Sequence, residues 1–306
     1  MKIAKLIKSE KGAITIIMAA AMVALAGMMA LVTDAGLLYL NQTKMTNALD
    51  SAVLAGVQEL PEHSELAIEI AYDYAVQNGL DPSEVTFDLN LDDYVLTGQA
   101  TRNVNLFFAR ILGFNDTDVS AQSKARITSL SEVEGVVPFG VLAQTYTYGE
   151  EIILKSGPAN NLFPGWFNAL SLGGTGADAY RKNIAEGYTG AIKIGQFLPF
   201  EEGNMSGPTK QGVKDLIDLC KHVPQCTFQL YKDDCPRIAI VPLLKVEGTN
   251  PTGGEVLGFG AFFVDSYVGS GNESEVKGTF IRYVVPGKAD SILNTDYGVY
   301  SAQLCR

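Results

Sequence analysis

The four cysteines, Cys220, Cys226, Cys235 and Cys305, are the residues best equipped for covalent or metal chemistry. An even number of thiols in an oxidising compartment favours two disulfides, in any of three connectivities. Zinc is the alternative, but the gaps between successive cysteines exceed the two to four residues of a zinc knuckle. Disulfides are therefore expected, with no metal and no cofactor. His63 and His222 are far apart in the chain and read as solvated side chains beside helix ends. Asp233-Asp234 and Glu201-Glu202 lack the alternating oxygen ligands of a calcium loop. Gly173-Gly174-Thr175-Gly176 lacks the Lys-Ser/Thr of a phosphate loop and reads as turn chemistry. With no Gly-x-Ser-x-Gly elbow and no His-Glu-x-x-His pair, the sequence predicts a protein that is not an enzyme.

The strongest physical signal is at the N-terminus. Lys2, Lys5, Lys8 and Lys11 stand against Glu10, and Ala13 to Thr33 then carries no charge. As a helix this run spans about 31 Å, close to the hydrocarbon thickness of a bilayer. Lipid offers no partner to backbone groups, so the span must be helical. The lysines keep residues 1–12 in the cytoplasm and place the rest outside, as a single-pass protein of the cell membrane. The run is longer than the core of a signal peptide and continues past Asp34 without a polar break, so it is expected to stay attached. The chain carries −11 overall, and with residues 1–12 at +3 the part beyond this basic segment carries −14, which disfavours nucleic acid as a partner.

Beyond the span, Leu38, Met45, Leu49, Ala52, Val53, Gly56 and Leu60 recur at helical spacing until Pro61 stops them. One helix from about residue 6 to 59 is predicted. Asp34 sits at the outer membrane boundary, where a carboxylate stays hydrated. Asp50 lies among Ala48, Ala52, Ala55 and Gly56, small residues that let another helix approach closely. That face packs either on the protein's own domain or on another membrane subunit. A helix over Ser64–Gln77 follows, with Ser64 as N-cap and Gly79 beyond its end. Strands are expected over Val85–Leu91 and, after a turn at Asp92-Asp93, over Tyr94–Ala100. A short helix over Val104–Leu112 and a strand over Val119–Ile127 complete an α+β unit, residues 34–128. Residues 129–136 read as a linker. Residues 137–306 are glycine-rich and expected to be mainly β, with strands Ile238–Val246, Leu257–Val264 and Gly278–Val285 and one helix near Thr209–His222. The fold class is α+β.

Several short motifs occur in a set order. They are Glu10-Lys11-Gly12-Ala13, the apolar span, Thr33-Asp34-Ala35-Gly36-Leu37-Leu38-Tyr39-Leu40, and Asn47-Ala48-Leu49-Asp50-Ser51-Ala52-Val53-Leu54-Ala55-Gly56. Phe107-Phe108-Ala109-Arg110-Ile111-Leu112-Gly113 and Val119–Ala125 come later. Over residues 8–128 the chain resembles the TadE/TadG-like family of the tight-adherence (Tad/Flp) pilus-assembly system. Gly203-Asn204-Met205-Ser206-Gly207-Pro208-Thr209 resembles a segment of some larger TadG-like proteins. The resemblance implies a membrane-anchored accessory or structural subunit at the cell surface, in contact with lipid. It also implies contact with other pilus-assembly or secretion subunits through the helix 34–60 face. Asp34 and Tyr39 belong to the matched motif. Gly12-Ala13 is the candidate processing position, but Ile17 stands where prepilin-type substrates carry Glu. The alternative function is a surface adhesin or ligand-binding module carried by residues 137–306.

Overall fold

The charge-free run and the amphipathic stretch after it form a single element. In the computed structural model, which describes residues 10–157, 168–269, 274–289 and 297–305, helix α1 runs from Glu10 to Val57 without a break. Most of the basic segment, residues 1–9, lies outside the described residues. The chain divides into two compact units, residues 1–126 with 304–306, and residues 127–303.

In the first unit α1 is joined by helix α2 (Ser64–Gln77) and by strands β1 (Val85–Asn90), β2 (Val95–Asn105) and the first part of β3 (Asp116–Val133). β1 and β2 are antiparallel, with Val85 opposite Ala100, and β2 and β3 likewise, with Val95 opposite Arg126. Alternation along β2 puts Leu96, Gly98 and Ala100 on the buried face. The core joins Met45, Ala48, Leu49 and Ala52 of α1 to Ala75, Leu80, Val85, Ala100, Val104 and Val119. The buried residues of α2 are all alanines, Ala67, Ala71 and Ala75, spaced one turn apart. This lets its backbone come close: a Cβ on Gly56 would lie 2.6 Å from the Ala67 carbonyl oxygen. A Cβ on Gly98 would lie 3.1 Å from Leu49 and Val53, so α1 rests directly on β2.

α2 has the predicted limits, although His63 occupies the N-cap position and no side chain caps it. Gly79 follows at φ +88, as its position beyond the helix end requires. The helix expected over Val104–Leu112 does not form. Val104 and Asn105 continue β2, and only a 3₁₀ turn over Ala109–Leu112 remains, closed by Gly113 in the left-handed region. The stretch 129–136 is not a linker throughout, because β3 continues to Val133 with Leu130 and Val133 buried, and the boundary between units falls at Arg126/Ile127.

The second unit contains β4 (Val141–Leu142), β5 (Glu151–Lys155), β6 (Ile192–Lys193), β7 (Phe197–Pro199), β8 (Ile238–Lys245), β9 (Gly253–Val268) and β10 (Glu275–Ile281). β11 (Tyr283–Val284), β12 (Lys288–Ala289) and β13 (Val299–Leu304) follow. Its main sheet has the order β4-β8-β9-β10-β5, with β7 on β9. β4 runs parallel to β8, and the other pairings are antiparallel. β8 is an almost unbroken apolar run because both faces of the sheet are covered. Helices α3 (Ala177–Glu186) and α4 (Ser206–Leu219) cover one face, placing Tyr180, Ile184, Val213 and Leu216 against Val241, Leu243, Phe262 and Val264. On the other face Ile240, Leu244, Phe259, Phe263 and Ile281 pack with Leu130, Val133, Cys220, Cys226 and Cys235. α3 is an addition to the single helix expected here. α4 ends at Leu219, short of the predicted His222, because the chain turns extended at Cys220. β9 is longer than expected, and the predicted 278–285 strand divides into β10 and β11.

Candidate functional site

Where α1 leaves its apolar stretch, Asp34 is buried, 6% exposed. Its carboxylate accepts backbone N–H bonds from Phe107 at 2.9 Å, Phe108 at 3.0 Å and Ala109 at 2.7 Å. These are the free N–H groups at the start of the 3₁₀ turn, so Asp34 caps that turn from a distant part of the chain. Burial alone would raise its pKa, but the three N–H donors outweigh it and hold the carboxyl below its ordinary value. The loop held this way presents Phe107, Phe108, Ile111, Leu112 and Phe114 outward, with Ile111 83% and Leu112 79% exposed. Its anchor point on α1 is where the helix's outward apolar run ends, the side chains from Ile14 to Val32 being exposed on all sides.

The small-residue face of α1 is filled by its own unit. Ala48, Ala52 and Ala55 are buried, and Gly56 faces Ala67 and Ala71 of α2. Asp50 accepts a hydrogen bond from the Ser123 hydroxyl of β3, which ties α1 to the sheet. The face expected to receive a partner helix is therefore closed over Ala48–Gly56, since burying it on the unit's own sheet supplies its core. Gly36, Tyr39 and Leu40, one turn apart, stay exposed. Among the motif residues, Asp34 and Asp50 act in folding contacts, and Tyr39 stays on the surface.

The cysteines depart from the two disulfides expected. All four are free thiols. Cys305 belongs to the first unit, where its N–H donates to the Lys124 carbonyl. Cys220 at the end of α4, and Cys226 and Cys235 in the loop before β8, are buried together. His222 is not a solvated histidine: its Nδ1 lies 3.6 Å from Cys220 Sγ and 3.3 Å from Cys226 Sγ. Its Nε2 is 3.0 Å from Asp234 Oδ1. Cys235 Sγ is 3.8 Å from Cys220 Sγ, well beyond a disulfide bond. Burial would raise the Cys220 thiol, but N–H donors from Cys226 and His222 bring it below its ordinary value, whereas burial pushes the Cys235 thiol up. Reading cysteine gaps alone missed this cluster, because one of its members is a histidine inside the first gap.

The other singled-out segments serve local structure. Gly173–Gly176 is the turn before α3, and Glu201 Oε1 accepts the Gly176 N–H at 3.1 Å. In the Gly203–Thr209 segment, Asn204 Oδ1 accepts the buried Lys155 ammonium at 2.7 Å, and Met205 takes a left-handed conformation to start α4. Burial lowers the Lys155 pKa to about 8.

Residues 12–59 match the family model described as "Putative Flp pilus-assembly TadE/G-like". That match ends with α1 and takes in neither sheet. No curated protein and no solved structure matches the chain. The N-terminal segment is TadE/G-like and supplies a helix long and apolar enough to cross a membrane.

Proposed function

We propose that this chain is a non-enzymatic, membrane-anchored subunit of Tad-type pilus assembly, with its N-terminus in the cytoplasm and both folded units outside. The observation that carries the proposal is the coincidence of the TadE/G-like match over 12–59 with a helix exposed and apolar from Ile14 to Val32. Such a stretch needs lipid or other apolar helices around it. The four lysines on one flank favour the cytoplasm for that end. Asp34 then lies just outside the bilayer and fixes the Phe107–Phe114 loop at the same level, so its exposed aromatic and aliphatic side chains meet the interfacial layer. Two apolar contacts, span and loop, would hold the first unit in one orientation on the membrane. Other assembly subunits would meet the span itself and the open strip around Gly36, Tyr39 and Leu40, since the small-residue face is taken. Deleting the gene and counting surface pili by electron microscopy tests this reading. Pili should be lost, and should return with the full chain but not with residues 34–306 exported as a soluble protein. Unchanged piliation in the deletion strain would overturn it.

A further inference from the structure

We propose that Cys220, His222, Cys226 and Cys235 bind one zinc ion that organises the loop between α4 and β8. The four ligand atoms all lie within 4.8 Å of one another. Around a tetrahedral zinc, ligand bonds of about 2.3 Å to sulfur and 2.0 Å to nitrogen give edges of about 3.8 Å between sulfurs and about 3.5 Å between sulfur and nitrogen. The Cys220–Cys235 separation is 3.8 Å, and His222 Nδ1 stands 3.6 and 3.3 Å from Cys220 and Cys226. Three of the six separations thus match the edges of a tetrahedral zinc shell, and the others are within 4.8 Å.

The surroundings have the features such a shell needs. A ligating imidazole is normally oriented by a hydrogen bond from its other nitrogen, often to a carboxylate. His222 turns Nδ1 toward the sulfurs and Nε2 toward Asp234. Three thiolates and one Zn²⁺ leave a charge of about −1, which a buried site must offset. The Arg237 guanidinium is buried beside the loop, and its Nη1 donates to the Cys226 carbonyl at 2.8 Å. Its Nε and Nη2 hold the Val264 and Asp265 carbonyls of β9, so the arginine also fixes the loop to the sheet. The loop itself has no regular secondary structure longer than the Thr227–Leu230 bridge. Its core contribution is largely the three cysteines. A metal supplies the cross-link that such a segment otherwise lacks.

The donor set selects the ion. Three thiolates and an imidazole exclude hard cations such as calcium and magnesium and suit tetrahedral zinc. All four positions are filled by protein, which makes the site structural and leaves none open for a substrate or water. The inference concerns the second unit and does not depend on the pilus reading.

The test uses the full chain, purified in detergent without added reductant or chelator. Metal analysis should give about one zinc per chain, retained in Cys305→Ser and lost in Cys226→Ser. Cobalt exchanged into the wild-type protein should give the absorption bands of tetrahedral thiolate coordination. Alkylation read by mass spectrometry covers the case in which Cys226→Ser fails to fold. Before chelation Cys305 should react and the other three cysteines should be protected. Adding a chelator, still without reductant, should expose all four. Either of two results would overturn the proposal: thiols that stay protected after chelation and open only with reductant, which is a disulfide, or free thiols with no bound zinc.

Discussion

Replacing Gly56 by alanine probes how tightly α1 is bound by its own unit. The new Cβ would sit 2.6 Å from both the Ala67 carbonyl oxygen and Leu96 Cδ2, and 3.2 Å from Ala71 Cβ. Leu96 can swing its methyl aside, but the Ala67 oxygen is helix backbone and moves only if α2 moves. Overpacking of this kind costs about 1–3 kcal/mol, and contact with backbone puts Gly56 near the upper end. Alanine regains up to about 1 kcal/mol in helix propensity. The net loss should be about 2 kcal/mol, a factor of roughly 30 in the local opening equilibrium. Hydrogen exchange of the α2 amides, followed by mass spectrometry on detergent-solubilised protein, reads that factor. Gly36→Ala is the control, because nothing lies within 4 Å of its Cβ position. It should be neutral or slightly stabilising. Wild-type exchange in α2 of Gly56→Ala would refute the packing of α1 against α2 described above.

Asp34→Asn keeps the shape but removes the charge and one acceptor oxygen from the three N–H groups of Phe107, Phe108 and Ala109. Those amides should exchange faster and the loop should be cut sooner by protease, with α2 unchanged. Arg102 donates to Glu84 through Nε at 2.8 Å and Nη2 at 2.6 Å, and this fork holds the Glu84 carboxyl below its ordinary 4.5. A depressed carboxylate stabilises fully above the ordinary value and loses that contribution as pH falls through the native one. The first unit should therefore lose about 0.5–1 kcal/mol on acidification below that range, and Glu84→Gln should flatten the dependence in thermal melts.

The parts of the fold legible in the sequence were those fixed by local physics. The span follows from its lack of charge, and α2 keeps its predicted ends because Pro61 and Gly79 bound a stripe of alanines. The extension of β3 was obscured by Ser129, Ser131 and Glu132, whose polarity suggested a linker although Leu130 and Val133 point inward. α3 was hidden by flanking glycines, which end a helix as readily as they fill a loop. The helix read over 104–112 loses its first turn to the sheet, because Val104 and Asn105 pair with Thr117 and Asp116 of β3, a contact distant in sequence. The cysteine cluster assembles only when the end of α4 and an irregular loop fold over the same face of the sheet.

If the chain is an outward-facing anchor that works beside other pilus-assembly subunits, Tyr39 lies where those subunits would meet it. Tyr39 is 71% exposed, just beyond the apolar span. A photo-crosslinking amino acid placed there and activated in intact cells captures what the strip touches, for identification by mass spectrometry. Adducts with a membrane-anchored subunit of the pilus-assembly machinery are expected. Adducts with cytoplasmic proteins alone, or with no protein at all, would contradict that reading.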